Sequence, residues 1–121
     1  MSVFINLTNH PSSKWSEKQL AAAKEYGEVI DIPFPVIDPY ADSAEIDRAV
    51  DEYFSKIAKY DSPTVLIQGE FIFTYRMISR LKENGIKAVA GCSIRQSSEV
   101  IDADGVTNKK VRFDFIAFKE Y

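Results

Sequence analysis

Three short stretches of this chain hold residue types that could bind or transform a ligand. Asn9-His10-Pro11-Ser12 puts the single histidine beside two hydrogen-bonding side chains, just ahead of a predicted helix start. Free N–H groups at a helix start and nearby hydroxyls can hold a phosphate or another anion, and an imidazole can move a proton near neutral pH. The same residues could instead shape the turn, with His10 packing or bonding locally. Gly69-Glu70 follows a short apolar run and precedes a helical pattern. A glycine there lets backbone approach a ligand closely, and Thr74, Tyr75 and Arg76 lie one turn further on. Glu70 could equally be a favourable anion in the first helical turn. Gly91–Arg95 offers the Ser93 hydroxyl and Arg95, whose planar guanidinium grips a phosphate or pairs with a surface carboxylate. Cys92 has no second histidine-bearing motif to activate it and reads as a structural or incidental thiol.

These stretches need elements to hold them. Val65-Leu66-Ile67 is too compact an apolar run for a half-exposed strand and reads as a strand buried on both faces. From Phe71 to Asn84, Phe73, Met77, Ile78 and Leu81 recur at helical spacing, and Gly85 follows as a left-handed stop. A new strand begins at Ile86, which makes a βαβ unit with a parallel pair. Ligands in such sheets sit outside the carboxyl ends of the strands. That rule directs attention to Gly69–Phe71 and Gly91–Arg95.

Upstream, Ser2–Leu7 reads as the first strand, and Ser16 with Gln19 as a capping box for a short helix closed by Gly27. Val29, Ile30 and Ile32 form a second strand, ended by Pro33 and Pro35. Asp42 with Glu45 opens a second helix, in which Ile46, Ala49, Val50, Tyr53, Phe54 and Ile57 make the clearest amphipathic stripe. Downstream, Ser97–Asp102 and Lys109–Phe118 flank an Asp104-Gly105 turn as a hairpin. Strict alternation would place Val111, Phe113, Phe115 and Ala117 on one face of the last strand, opposite Arg112, Asp114, Ile116 and Phe118. The order β-α-β-α-β-α-β-β predicts an α/β fold. It is an open Rossmann-like sheet, mostly parallel at its core, with three helices and an antiparallel C-terminal hairpin at the edge.

At 121 residues the chain is long enough for one domain, residues 1–121, with an ordinary core. An apolar share of 45% and a charged share of 27% suit a soluble globular protein. One cysteine cannot form an internal disulfide, and no leader or membrane-length apolar run stands out, so a cytoplasmic protein without a membrane partner is expected. The formal charge of −3 argues against a protein that coats long nucleic acid but not against a small nucleotide held by local donors. One histidine and one cysteine cannot supply a typical zinc site, and Asp102-Ala103-Asp104-Gly105 lacks the remaining calcium-loop ligands. No metal or other cofactor is therefore expected. An aromatic last strand would leave apolar surface exposed in a monomer, which points to a homodimer.

Taken together, LTNHPS near the start, VLIQGEFIFTYRMISRLKENGIKAVA in the third quarter and FDFIAFKEY at the end resemble small accessory proteins of type III CRISPR loci. That group is related in style to CARF (CRISPR-associated Rossmann fold) domains and includes compact ring nucleases. The resemblance implies binding of a cyclic oligoadenylate, the second messenger of those defence systems, in a symmetric cleft between two subunits. It also implies metal-independent cleavage, with the ribose 2′-hydroxyl attacking its own phosphate while the protein aligns and stabilises charge. His10, Ser12, Gly69, Thr74, Ser93 and Arg95 are the positions it carries over, with His10, Ser12 and Arg95 expected in catalysis. Gly69, Thr74 and Ser93, together with Asn9, Glu70 and Tyr75 from the residue reading, are expected in ligand binding. Cys92-Ser93-Ile94 departs from the threonine- and acid-containing version of that loop, which removes a carboxylate role at Ile94. A sensor or sponge that binds without cleaving, or an unrelated small α/β interaction protein, would also fit the residues.

Overall fold

The computed structural model describes all 121 residues. Five strands form one sheet in the order β2-β1-β3-β4-β5: β1 (Val3–Leu7), β2 (Glu28–Asp31), β3 (Pro63–Ile67), β4 (Lys87–Ile101) and β5 (Thr107–Glu120). The pairs β1–β2, β1–β3 and β3–β4 are parallel and β4–β5 is antiparallel. Three helices cover the sheet: α1 (Glu17–Lys24), α2 (Ser43–Ala58) and α3 (Phe71–Glu83). This is the α/β, Rossmann-like, mostly parallel arrangement with a hairpin edge that the residue pattern predicts. No helix is long and apolar enough to cross a membrane.

The helix starts follow from their capping residues. The Ser16 hydroxyl accepts the Gln19 N–H at 3.1 Å, and the Asp42 carboxylate accepts the Glu45 N–H at 2.8 Å. Each side chain fills one of the four N–H vacancies of a helix start. At the far end of α3, Gly85 takes φ 69° while Ile86 N–H returns to the Leu81 carbonyl at 2.9 Å, a left-handed stop that aims the chain into β4.

Two cores lie on the two faces of the sheet. The larger places α2 and α3, through Ile46, Val50, Ile57, Phe73, Met77 and Leu81, against Val3, Ile5, Leu7, Val65 and Ile67. The smaller places Ala23 of α1 and Phe118 against Phe4, Leu66 and Val89, with Trp15 and Tyr26 alongside. Every residue of β1 is buried because helices cover both faces of a central parallel strand.

The hairpin departs from expectation in two ways. First, β4 is one strand of 15 residues, so Gly91–Arg95 lies within a ladder rather than in a loop at a strand end. Its pairing with β3 stops at Leu66↔Val89, while its pairing with β5 continues to Ile101↔Thr107. From Gly91 outward the two strands therefore form an arm beyond the carboxyl ends of the parallel strands, roughly 34 Å long at about 3.4 Å per residue. Second, the register shifts between Cys92 and Ser93, which pair with Ala117 and Phe115, leaving Ile116 over as a β-bulge. Strict alternation along β5 fails there. Phe115 and Phe118 share a face with ring centroids 4.8 Å apart, on the α1 side of the sheet.

Candidate functional site

The chain leaves β1 for α1 on one face and leaves β3 for α3 on the other. Adjacent strands whose connections diverge in this way open a crevice at their carboxyl ends. A hollow of about 300 Å³ lies there, lined by Thr8, Asn9 and His10 after β1, by Gln68 and Gly69 after β3, and by Trp15 and Gln19. It shares His10, Trp15, Gln19 and Gln68 with a wider groove of about 840 Å³, whose outer wall is the arm: Gly91, Ser93, Phe113 and Phe115. Lys14 adds a cation.

The β1 loop is held tightly from beneath. Asn6 Nδ2 donates to the His10 carbonyl at 2.8 Å and to Asp31 Oδ1 at 2.9 Å. Thr8 Oγ1 donates to Asn6 Oδ1 at 2.7 Å and accepts the His10 N–H at 3.1 Å. Trp15 Nε1 donates to the same His10 carbonyl at 3.1 Å. Asn6 and Thr8 are buried, and buried polar groups left unpaired are costly, so this network fixes the loop's shape. The His10 imidazole stands exposed without a hydrogen bond of its own.

A second fixed element joins the arm to the body. Where the β3–β4 ladder ends, the Gln68 side chain substitutes for a strand: Oε1 accepts the Gly91 N–H at 2.9 Å, and Nε2 approaches the Gly91 carbonyl at 3.5 Å. On β3, the Ile67 carbonyl accepts the Tyr121 hydroxyl at 2.6 Å. Burial first, and the neighbouring Cys92 second, hold the Tyr121 phenol above its ordinary value, so it stays a donor further into the alkaline range.

The residues singled out in the sequence divide accordingly. Asn9, His10, Gly69 and Ser93 meet in the groove. Arg95 lies one cross-strand pair further out: Ser93↔Phe115 and Arg95↔Phe113 are successive pairs on one face, so Arg95 flanks the groove's rim. Ser12 turns away from it, its hydroxyl donating to Asp31 Oδ2 at 2.9 Å. Glu70 caps α3, accepting the N–H groups of Ile72 at 3.0 Å and Phe73 at 2.7 Å, which fills the helix terminus that an anionic ligand would use. Thr74 is buried in α3, its hydroxyl without a partner. Tyr75 lies on the α2–α3 surface among Asp47, Asp51 and Arg76, and Arg76 is held by Asp47 at 3.1 Å. Gly69 has a packing reason: a Cβ there would stand 2.4 Å from the Phe34 ring.

Trp15, Gln19, Gln68 and Phe113 also line the groove, and residue reading placed none of them among the candidate site residues. The usable signal for the loop was Asn6, a polar residue in the middle of an otherwise apolar strand.

A mostly parallel sheet covered on both faces, with a polar and aromatic groove at the point where its connections diverge, defines a Rossmann-like α/β protein. Residues 2–119 match the profile of the family described as Uncharacterized protein MJ1673 family, and the chain belongs to that family. No curated protein matches it.

Proposed function

We propose that this chain binds a cyclic oligoadenylate in the groove between the β1 loop and the arm, as a homodimer, and cleaves it without a metal ion. The observation that carries the reading is the convergence of Asn9, His10, Gly69 and Ser93 with aromatic and amide side chains at the switch point. Aromatic rings suit bases, and Lys14 and Arg95 suit phosphates. The resemblance to accessory proteins of type III CRISPR loci supplies the ligand class and a role in ending that signal.

In the cleavage step a ribose 2′-hydroxyl oxygen attacks the adjacent phosphorus. The 2′-O–P bond forms and the P–O5′ bond breaks, giving a 2′,3′-cyclic phosphate and a 5′-hydroxyl. The 2′ proton ends on the departing 5′ oxygen, taken up and returned by His10, and Arg95 stabilises the charge on the phosphoryl oxygens. Ser12 acts by holding the loop through Asp31.

Support for the dimer comes from the apolar surface at the groove's end of the molecule. Phe71 is 89% exposed and Val36 99%, both just past strand carboxyl ends, and Ile94 and Ile116 are exposed on the arm that projects from the same end. Such surface is ordinarily covered by a partner. Light scattering at tens of micromolar checks this, with a dimer mass expected and a monomer mass contradicting it.

A non-catalytic sponge is the second reading, favoured by the exposed imidazole of His10, which has no partner to fix its tautomer. Incubation with cyclic tri-, tetra- and hexa-adenylate in chelator, followed by chromatography, decides between them. Linear products support cleavage, and binding without products supports the sponge. No binding to any ring defeats both. In a cleaving enzyme, Arg95→Ala weakens binding. His10→Ala slows single-turnover cleavage by roughly 10²–10⁴-fold while affecting binding less, as expected for loss of a general acid–base group.

A further inference from the structure

We infer that the groove contains a base-reading seat in which an adenine stacks on Phe113 and offers its edge to the Gln19 amide. This rests on the groove being the ligand site and goes beyond it by assigning what distinguishes one base from another. Phe113 is 68% exposed although it is a large aromatic side chain on a groove wall. An exposed ring there presents a flat face on which any base can stack. Its cross-strand partner is Arg95, and directly opposed side chains on one sheet face stand about 5 Å apart at Cβ. That spacing is comparable to the distance from a base to its own phosphate, so the pair suits one nucleotide unit.

The opposite wall is α1. Gln19 lines both parts of the groove, and its side-chain amide makes no hydrogen bond within the protein, its backbone N–H alone serving the cap on Ser16. A free carboxamide offers one acceptor and one donor side by side, the complement of the adenine N6 donor and N7 acceptor. Gln68 is less free, because its amide is engaged with Gly91. Gln19 is therefore the amide available to read a base, and Phe113 the ring available to stack one.

Trp15 is the single tryptophan and lines the groove, so its fluorescence reports occupancy directly. The test titrates wild type, Phe113→Ala and Gln19→Leu with cyclic tetra-adenylate, cyclic tetra-uridylate, AMP and UMP, after thermal melts confirm that both variants are folded. Phe113→Ala should weaken adenylate binding roughly 5–150-fold, the loss of about 1–3 kcal/mol of base stacking. Gln19→Leu should shrink the preference for adenylate over uridylate by a similar factor, since a bidentate base contact carries about that much discrimination. Unchanged affinity in Phe113→Ala overturns the stacking assignment, and an unchanged base preference in Gln19→Leu overturns the edge reading. Equal wild-type binding of both rings overturns the seat but keeps ring binding. AMP binding in preference to UMP without binding of either ring keeps the seat and removes the cyclic ligand. No response to any probe overturns both.

Discussion

The same apolar residue types meet opposite fates in the body of the sheet and in its arm. In β1, Phe4, Ile5 and Leu7 are wholly buried, with a strand on either side and helices above and below. In the arm, Ile94, Ile101, Val106 and Phe113 are all more than half exposed, each strand having one neighbour and no helix over it. A two-stranded ribbon alone in water is marginal. Beyond buried Phe115 and half-buried Phe118 at its base, the arm's apolar side chains therefore contribute little to the fold of this chain, which fits the proposed roles in binding a ligand and a second copy. Stability resides in the body, and the proposed recognition in the join between body and arm.

The contrast predicts a graded series of substitutions. Phe4→Ala removes a fully buried ring from the smaller core, where Phe4 stands 4.8 Å from Phe118 between ring centroids. It should cost about 3–5 kcal/mol in urea unfolding, and a cost under about 1 kcal/mol would break the contrast. Gly69→Ala forces the Phe34 ring to move and should cost about 1–3 kcal/mol by overpacking. A stable, unperturbed variant would show that Gly69 does not meet Phe34 as described.

Tyr121→Phe should cost about 0.5–1.5 kcal/mol at neutral pH through the lost hydrogen bond to Ile67. Its pH signature is more specific. The folded phenol titrates above its ordinary value of 10.0, so the unfolded chain loses its proton first as pH rises. The contribution of Tyr121 is thus fully present below about pH 10 and is lost progressively above it. In Tyr121→Phe this alkaline decline should flatten, and an identical decline in both proteins would remove Tyr121 as its source. Smallest of all, Phe113→Ser on the arm should shift stability by no more than about 0.5 kcal/mol. A larger loss at low protein concentration would mean that the arm packs against its own body.

Much of the body was legible in the residues because its local signals agree. Ser16 and Asp42 cap as their spacing indicates, Gly85 stops α3, and the stripe from Ile46 to Ile57 faces the larger core. The arm was not, since alternation has the same period in a buried strand, an edge strand and a free ribbon. Nothing in residue order marks where β4 parts from β3, and the extra residue Ile116 reverses the phase on which facing was judged.

The candidate site was legible in part for a related reason. Topology alone brings His10, Gly69 and Ser93 together, because each follows or flanks the carboxyl end of a parallel strand. Helix phase sends Tyr75 to the α2–α3 surface, although it follows Thr74 directly. Trp15 carries no motif and Gln19 only a helix-capping one; they reach the groove because α1 packs beside Phe118. Glu70 and Gly69 have local structural uses, a cap and a close contact, which sequence spacing does not distinguish from ligand contact.

Backbone amide hydrogen exchange, with and without cyclic tetra-adenylate, tests the central claim that recognition lies where arm meets body. Protection should rise around Asn9–Gln19, Gln68–Gly69, Gly91–Arg95 and Phe113–Phe115, leaving the α2–α3 surface near Tyr75 unchanged. Ligand-dependent protection confined to that α2–α3 surface, or spread along the arm without the β1 loop, would contradict it.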